Sequence, residues 1–187
     1  MSHTAQINFV KRVKDNNPNY FKNTKVIEIG SLDINGTIRN LFSDCEYVGV
    51  DVGEGPHVDL VCPGQEVDHA DNTYDVACSC NCFEHNPEWV ETFRNMHRMT
   101  REDGLVFVSV PTTGCPEHGT HENKPEDSPL TLKRGWNYYK NLTEQDYRDN
   151  FNLDEMFSTY KFEEYRDDKT TTYDIYFYGF KKLGLAK

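Results

Sequence analysis

The chain reads as an α/β protein, a single domain built on a doubly wound, mainly parallel sheet with an antiparallel strand at its C-terminal end. Three observations predict this. Short runs rich in Val and Ile alternate with helix-like segments through residue 110, the pattern of parallel strands joined by right-handed crossovers. The tail instead carries two runs that alternate at period two, residues 160–166 and 173–181, which suits a strand pair. A length of 187 residues with 11 Tyr and 11 Phe is enough for one core and scarcely for two.

In chain order, residues 5–14 form a helix with Ile7, Val10 and Val13 along one side. Residues 25–29, 47–50, 58–61, 76–80 and 105–110 are strands, being apolar, β-branched and too short for helices. Residues 37–42 make a short helix. Residues 87–99 make the clearest one, with Trp89, Val90, Phe93, Met96 and Met99 near one face. Asn86 is its expected N-cap and Pro87 its first residue. Gly104 breaks the chain before the fifth strand. Residues 51–57 and 63–75 leave little room for helices, so loops or single turns are expected. Residues 111–142 are rich in Pro, Gly, Thr and charge and follow the last parallel strand, where such folds place ligand-facing loops. Thr143-x-x-Asp146 resembles a capping box that opens a helix through about Arg148. Gly179 is a weak point in the last strand. The domain, residues 1–187, thus divides into a ligand-binding half (1–110), a lid loop (111–142), and a terminal helix with a strand pair (143–187).

Charge and composition exclude several functions. With 31 acids against 20 bases the net charge is -11, which repels a phosphate backbone and makes nucleic acid a poor partner. No apolar run is long enough to insert in a membrane. The N-terminus has no apolar leader segment, so a reducing cytoplasm is expected, with the six cysteines unpaired. Cys78-x-Cys80-x-Cys82 is too tightly spaced for a zinc knuckle. Period two places all three on one strand face, as core residues.

The strongest chemical signal is the stretch Val26-Ile27-Glu28-Ile29-Gly30-Ser31-Leu32-Asp33-Ile34-Asn35-Gly36-Thr37. A strand ends at Ile29, and Gly30 lets the chain turn while a ligand approaches its backbone. Tyr47-Val48-Gly49-Val50-Asp51 is a second strand ending in an acid. In a doubly wound sheet that acid lies beside the first turn, where it can accept from both ribose hydroxyls of an adenosine ligand. A dinucleotide site wants Gly-x-Gly-x-x-Gly. Here Leu32 stands at the second glycine and Asp33 follows. Glu28 and Asp33 would repel a pyrophosphate but suit the ammonium and sulfonium of S-adenosylmethionine. The plain alternative makes both acids ordinary turn and capping residues.

On these residues the chain resembles the class I S-adenosylmethionine-dependent methyltransferases of Rossmann-like fold, most closely over residues 24–112. Glu28-Ile29-Gly30-Ser31 matches their first motif, and Asp51 the acid ending their second strand. Tyr74-Asp75-Val76 matches the start of their fourth strand, and Phe83-Glu84-His85 the stretch after it. Arg101-Glu102-Asp103-Gly104-Leu105 matches the turn before their fifth strand. Leu32 departs from the commonest pattern, and Asn35-Gly36 supplies the flexibility instead.

The resemblance implies S-adenosyl-L-methionine as cosubstrate and S-adenosyl-L-homocysteine as product. Gly30 and Ser31 would then contact it through backbone, Glu28 or Asp33 would hold its amino group, and Asp51 would bind its ribose. Val52 would pack on adenine, with Gln65 and Glu66 along the adenine edge. Asn81 would face the methionine end. The acceptor is a small or medium-sized molecule, a sugar or glycan terminus included, methylated on O or N beneath residues 111–142. His85, His118 and His121 are the candidate bases, each with a structural or solvated alternative. His118-x-x-His121 lacks helical geometry, and no metal is assigned. Trp136, Tyr138 and Tyr139 either wall the acceptor pocket or staple the loop to the core. Lys133-Arg134 could meet an acidic substrate group. Two rival readings stand: an NAD-dependent oxidoreductase, disfavoured by the missing glycines, and a non-catalytic binding protein of the same fold, favoured by Leu32.

Overall fold

β1 (Lys25–Ile29) is buried on both faces in the middle of the sheet, with every residue after Lys25 buried and Glu28 its one buried charge. The computed structural model describes residues 4–184, so the ends of the expected 1–187 domain lie outside the described residues. Within them the strand order is β3-β2-β1-β4-β5-β7-β6. β2 (Glu46–Asp51) and β4 (Tyr74–Cys80) flank β1 in parallel. β3 (Leu60–Val61) and β5 (Thr100–Pro111) extend the parallel part on either side. β7 (Thr172–Lys181) pairs antiparallel with β5, and β6 (Phe157–Asp167) antiparallel with β7. The expected mainly parallel sheet with an antiparallel C-terminal end is what forms.

Two helical layers cover the sheet. On one face lies α1 (Thr4–Asn16), burying Phe9, Val10 and Val13, with Phe9 stacked on Tyr176 at 4.4 Å. On the other lie α2 (Trp89–Met99) and α4 (Glu144–Asn150). Phe93 of α2 touches Tyr147, Phe151 and Phe177, at ring separations of 5.3, 4.7 and 5.5 Å. The capping box that opens α4 is present: the Asp146 amide donates to Thr143 Oγ1, and the Thr143 amide donates to Asp146 Oδ2.

Four details depart from the sequence expectation. α2 begins at Trp89, not Pro87, with Glu88 at its N-cap. Asn86 donates its amide to Thr92 and accepts from the Glu88 amide, so it builds the turn ahead of the helix instead of capping it. Residues 37–42 shrink to a single 3₁₀ turn, Arg39–Leu41. β5 starts at Thr100, ahead of Gly104, because the break is absorbed inside the strand: Asp103 takes φ 57°, and the pairing with β4 shifts register between Tyr74 and Val76. Lastly, Cys78 and Cys80 do share the α1 face of β4, but Cys82 does not. Asn81 takes φ 49° and ends the alternation, and Cys82 packs with the opposite layer.

The 111–142 segment is more ordered than a loop. It contains a short helix, α3 (Pro129–Arg134), between Ser128 and a left-handed Gly135. The segment leaves the sheet at Pro111 and returns at Leu142, whose amide donates to the Pro111 carbonyl at 3.0 Å. No described helix is long and apolar enough to cross a membrane.

Because Phe93 sits where four rings meet, Phe93→Ala should cost about 3–5 kcal/mol. Urea unfolding measures it. A loss under about 1 kcal/mol would mean that this layer does not hold α2 to the sheet.

Candidate functional site

The strand order reverses at β1: the chain runs outward to β2 and β3 on one side, then crosses to β4 on the other. Such a switch point leaves a crevice at the carboxyl ends of the strands. Here Gly30 and Asn81-Cys82 form its floor. Gly30 takes φ 82°, and a Cβ on it would lie 2.4 Å from the Cys82 Cβ. The crevice opens into a cleft with about 610 Å³ of empty space, its mouth included. Glu28, Gly30, Ser31, Asp51, Asn81 and His85 all line it.

The loop after β1 is held by its neighbour strand. The amides of Gly30 and Ser31 both donate to the Val50 carbonyl, at 2.8 and 3.1 Å. The Asp51 carboxylate then accepts from the Leu32 amide at 3.1 Å and the Val52 amide at 2.8 Å. Burial raises the Asp51 pKa, and those two amides oppose the rise. Leu32, the departure from the glycine pattern, folds its side chain over Gly55, where a Cβ would lie 2.2 Å from it. Ser31 lines the cleft with a buried hydroxyl that makes no hydrogen bond within the chain.

The two acids of the first motif take different places. Glu28 is buried at the cleft wall, and Tyr47 donates its hydroxyl to Glu28 Oε2 at 2.7 Å. Burial pushes the Glu28 pKa up to about 7, against the Tyr47 bond and Arg39, while Asp51 and Asp33 add to the rise. Asp33 is not among the residues lining the cleft. It accepts from the Gly36 amide at 2.7 Å and stands 3.5 Å from His57, as a turn-capping acid does. Asn81 accepts from the Ser109 hydroxyl at 3.2 Å.

Residues 127–131 come down over the cleft and complete its lining. Leu130 lines both it and a neighbouring groove formed with Val52, Gly53, Glu54 and Val61. Gln65 and Glu66 lie outside the cleft lining. Gln65 accepts from Thr92, and Glu66 pairs with Arg134 of α3 at 3.6 Å, tying the lid to the loop after β3. Arg134 therefore meets an acid of its own chain, and it also lies over the Trp136 ring.

Of the three histidines, His85 alone lines the cleft. His118 packs edge-on against it with ring centres 5.2 Å apart, and Tyr139 covers both. His121 stands apart, its amide bonded to Asn137. Burial, with His118 beside it, pushes the His85 pKa down to about 3. Burial lowers His118 as well. Both are neutral near pH 7. Burial raises Glu84, next in the chain, to about 8. Trp136, Tyr138 and Tyr139 do not line the cleft.

Sequence reading quoted Thr37 and Glu84 within its motifs without giving either a role, and took residues 127–131 only as part of the 111–142 lid. Ser128-Pro129 followed by Gly135 is a helix start and stop signal that marks α3. Nothing in the spacing places that helix over residues some eighty to a hundred positions earlier.

Residues 10–165 match the family described as a methyltransferase domain. No protein of curated function matches the chain in sequence. Among solved structures the chain is similar to the Burkholderia thailandensis 1,6-didemethyltoxoflavin-N1-methyltransferase, determined with 1,6-didemethyltoxoflavin and S-adenosylhomocysteine. The TM-score is 0.66 at 16% identity, over 96% of this chain and 79% of that one. It is also similar to the Haemonchus contortus phosphoethanolamine N-methyltransferase 2 bound to S-adenosyl-L-methionine. There the TM-score is 0.64 at 13% identity, over 93% of this chain and 52% of that one. The Bacillus subtilis YcgJ protein gives a TM-score of 0.64 at 11% identity, over 97% of this chain and all (100%) of that one. At these identities the likeness is one of fold. With the family match spanning most of its length, the chain belongs to the methyltransferase domain family and carries the Rossmann-like fold of the S-adenosylmethionine-dependent enzymes.

Proposed function

We propose that the chain transfers a methyl group from S-adenosyl-L-methionine to an O or N atom of a small or medium-sized acceptor, a sugar or glycan terminus among them. The observation that carries this is the convergence of Asp51, Glu28 and the Gly30 turn on one cleft. Asp51 is pinned by two amides with its carboxylate on the cleft, where it takes the ribose hydroxyls. Gly30 and Ser31 contact the cosubstrate, and the unpaired Ser31 hydroxyl supports that role. Glu28 takes the amino group, with Asp33 the more distant second choice. Val52 and Leu130 receive adenine in the neighbouring groove, which Glu66 reaches only through Arg134 and Gln65 does not line. Asn81 faces the methionine end.

Little else is required of the protein. The sulfonium is already an activated electrophile, so alignment of nucleophile, methyl carbon and sulfur supplies much of the rate. The acceptor enters beneath residues 127–131, beside His85. With its pKa near 3, His85 is a weak base, better suited to positioning the acceptor than to removing its proton. His118 orients it, and His121 is left for the solvent side. The small-molecule acceptor of the Burkholderia relative fits the same scheme. A reducing cytoplasm suits six free cysteines. A pyrophosphate would meet Glu28 and Asp51 in this cleft, which weighs against NAD.

Calorimetric titration with S-adenosylhomocysteine, with NAD in parallel, tests the reading. One-to-one binding of S-adenosylhomocysteine alone supports it, binding of NAD overturns it, and binding of neither leaves a scaffold of this fold.

Two further outcomes follow from the geometry. Asp51→Ala should lose roughly 1.5–3 kcal/mol of S-adenosylhomocysteine affinity, the range for hydrogen bonds to a charged group. An unchanged dissociation constant removes Asp51 from the site. Glu28 ionises near pH 7 in the free protein, and only its ionised form attracts the ligand ammonium. Affinity should therefore rise roughly tenfold from about pH 6 to about pH 8 and level off above. Glu28→Gln should bind more weakly and without this pH dependence. A wild-type affinity that is flat across this range would place the ammonium elsewhere.

A further inference from the structure

Beside the cleft lies a cluster of which the methyl-transfer scheme uses only the two imidazoles. Glu84 and His85 sit on the 3₁₀ turn Phe83–His85 after β4, and His118 comes from the 111–142 excursion. One donor atom from each lies within 4.8 Å of the other two. His85 Nε2 stands 3.7 Å from Glu84 Oε1. Two donors about 2.1 Å from one ion at a tetrahedral angle are ~3.4 Å apart, so small side-chain adjustments close the set.

The cluster is buried and short of partners. Glu84 is 0% exposed and His85 4%. Among the described residues neither Glu84 carboxyl oxygen makes a hydrogen bond of good geometry, and one of them faces His85 Nε2. Buried polar groups are almost always satisfied, and a fully buried carboxyl without a donor, set against two imidazoles, wants a partner. His118 is already oriented for one. Its Nδ1 lies 3.0 Å from the Pro116 carbonyl, which holds the proton on Nδ1 and leaves Nε2 as a free lone pair, the arrangement of a metal-bound imidazole. Gly119 lets the excursion settle this closely: a Cβ there would lie 2.5 Å from His85 Cε1.

We propose that Glu84, His85 and His118 bind one divalent transition-metal ion. Two imidazoles and one carboxylate select the zinc and iron(II) class over magnesium or calcium. Three protein ligands leave a coordination position open, and His85 reaches the wall of the cleft, so an ion here is placed to hold a heteroatom of the acceptor. The sequence reading weighed His118-x-x-His121 as a metal pair and assigned none. The fold leaves His121 out and supplies Glu84 instead. Binding of the ion does not rest on the methyl-transfer reading, whereas its role toward an acceptor does.

The full chain, stripped with a chelator and dialysed against Zn²⁺ or Co²⁺, tests it by metal analysis and visible absorption. One ion per chain is expected, with Co²⁺ ligand-field bands and no thiolate-to-cobalt charge transfer. His118→Ala and Glu84→Gln should each weaken binding at least about tenfold, the scale for loss of even an outer-shell partner. Should Glu84→Gln fail to fold by circular dichroism, the half-buried His118 carries the test. Absence of binding, a thiolate signature, or undiminished binding by His118→Ala overturns the site. Titrating the same wild-type protein with S-adenosylhomocysteine keeps the two readings apart, since each ligand can bind while the other fails.

Discussion

The cleft depends on an absent atom. With no Cβ at position 30, the ends of β1 and β4 approach until Cys82 rests on the glycine backbone. That contact sets the floor of the crevice where the sheet divides. Both loops must turn sharply there, and both do so with left-handed residues, Gly30 and Asn81. The amides freed by the first turn go to the Val50 carbonyl and to Asp51, so the end of β2 is fixed by the same event. Three strands thus present their ends to one point.

The same closeness gathers acids where water is scarce. Glu28 and Glu84 are buried and Asp51 is half-buried, and in each burial is the largest cause of a raised pKa. They differ in what offsets it. Asp51 has two backbone amides and Glu28 a phenol, whereas Glu84 has no well-formed hydrogen bond. Unneutralised carboxyls are costly in such surroundings. On the proposed reading, a cation arriving from outside would offset that cost for Glu28 and Asp51, the two that line the cleft.

How far the sequence disclosed this varies with the range of the interaction. The strands around β1 were legible, because a strand buried on both faces must be apolar throughout. Gly30 and Asp51 were legible too, since the doubly wound topology dictates where strand ends fall. Asp33 was not separable from Glu28 in sequence. Both are acids in the same motif, and only the backbone path sends one to the cleft and the other to the Gly36 turn. Cys82 followed a period-two pattern that a single positive φ at Asn81 interrupts. The placement of α3 and the meeting of His118 with Glu84 depend on tertiary contacts between segments far apart in the chain, which no local pattern encodes.

The excursion that covers the cleft starts and ends at a single hydrogen bond, from the Leu142 amide to the Pro111 carbonyl. A segment closed at its base in this way is topologically an appendix of the sheet. Closing a longer or shorter one costs little, about 0.6 kcal/mol for each doubling of length. The cosubstrate loops lie on the sheet side of that closure, while the cover and His118 lie beyond it. The fold therefore allows the covering segment to be exchanged as a cassette while the strand ends beneath stay as they are, which on the proposed reading would change the acceptor and keep the cosubstrate.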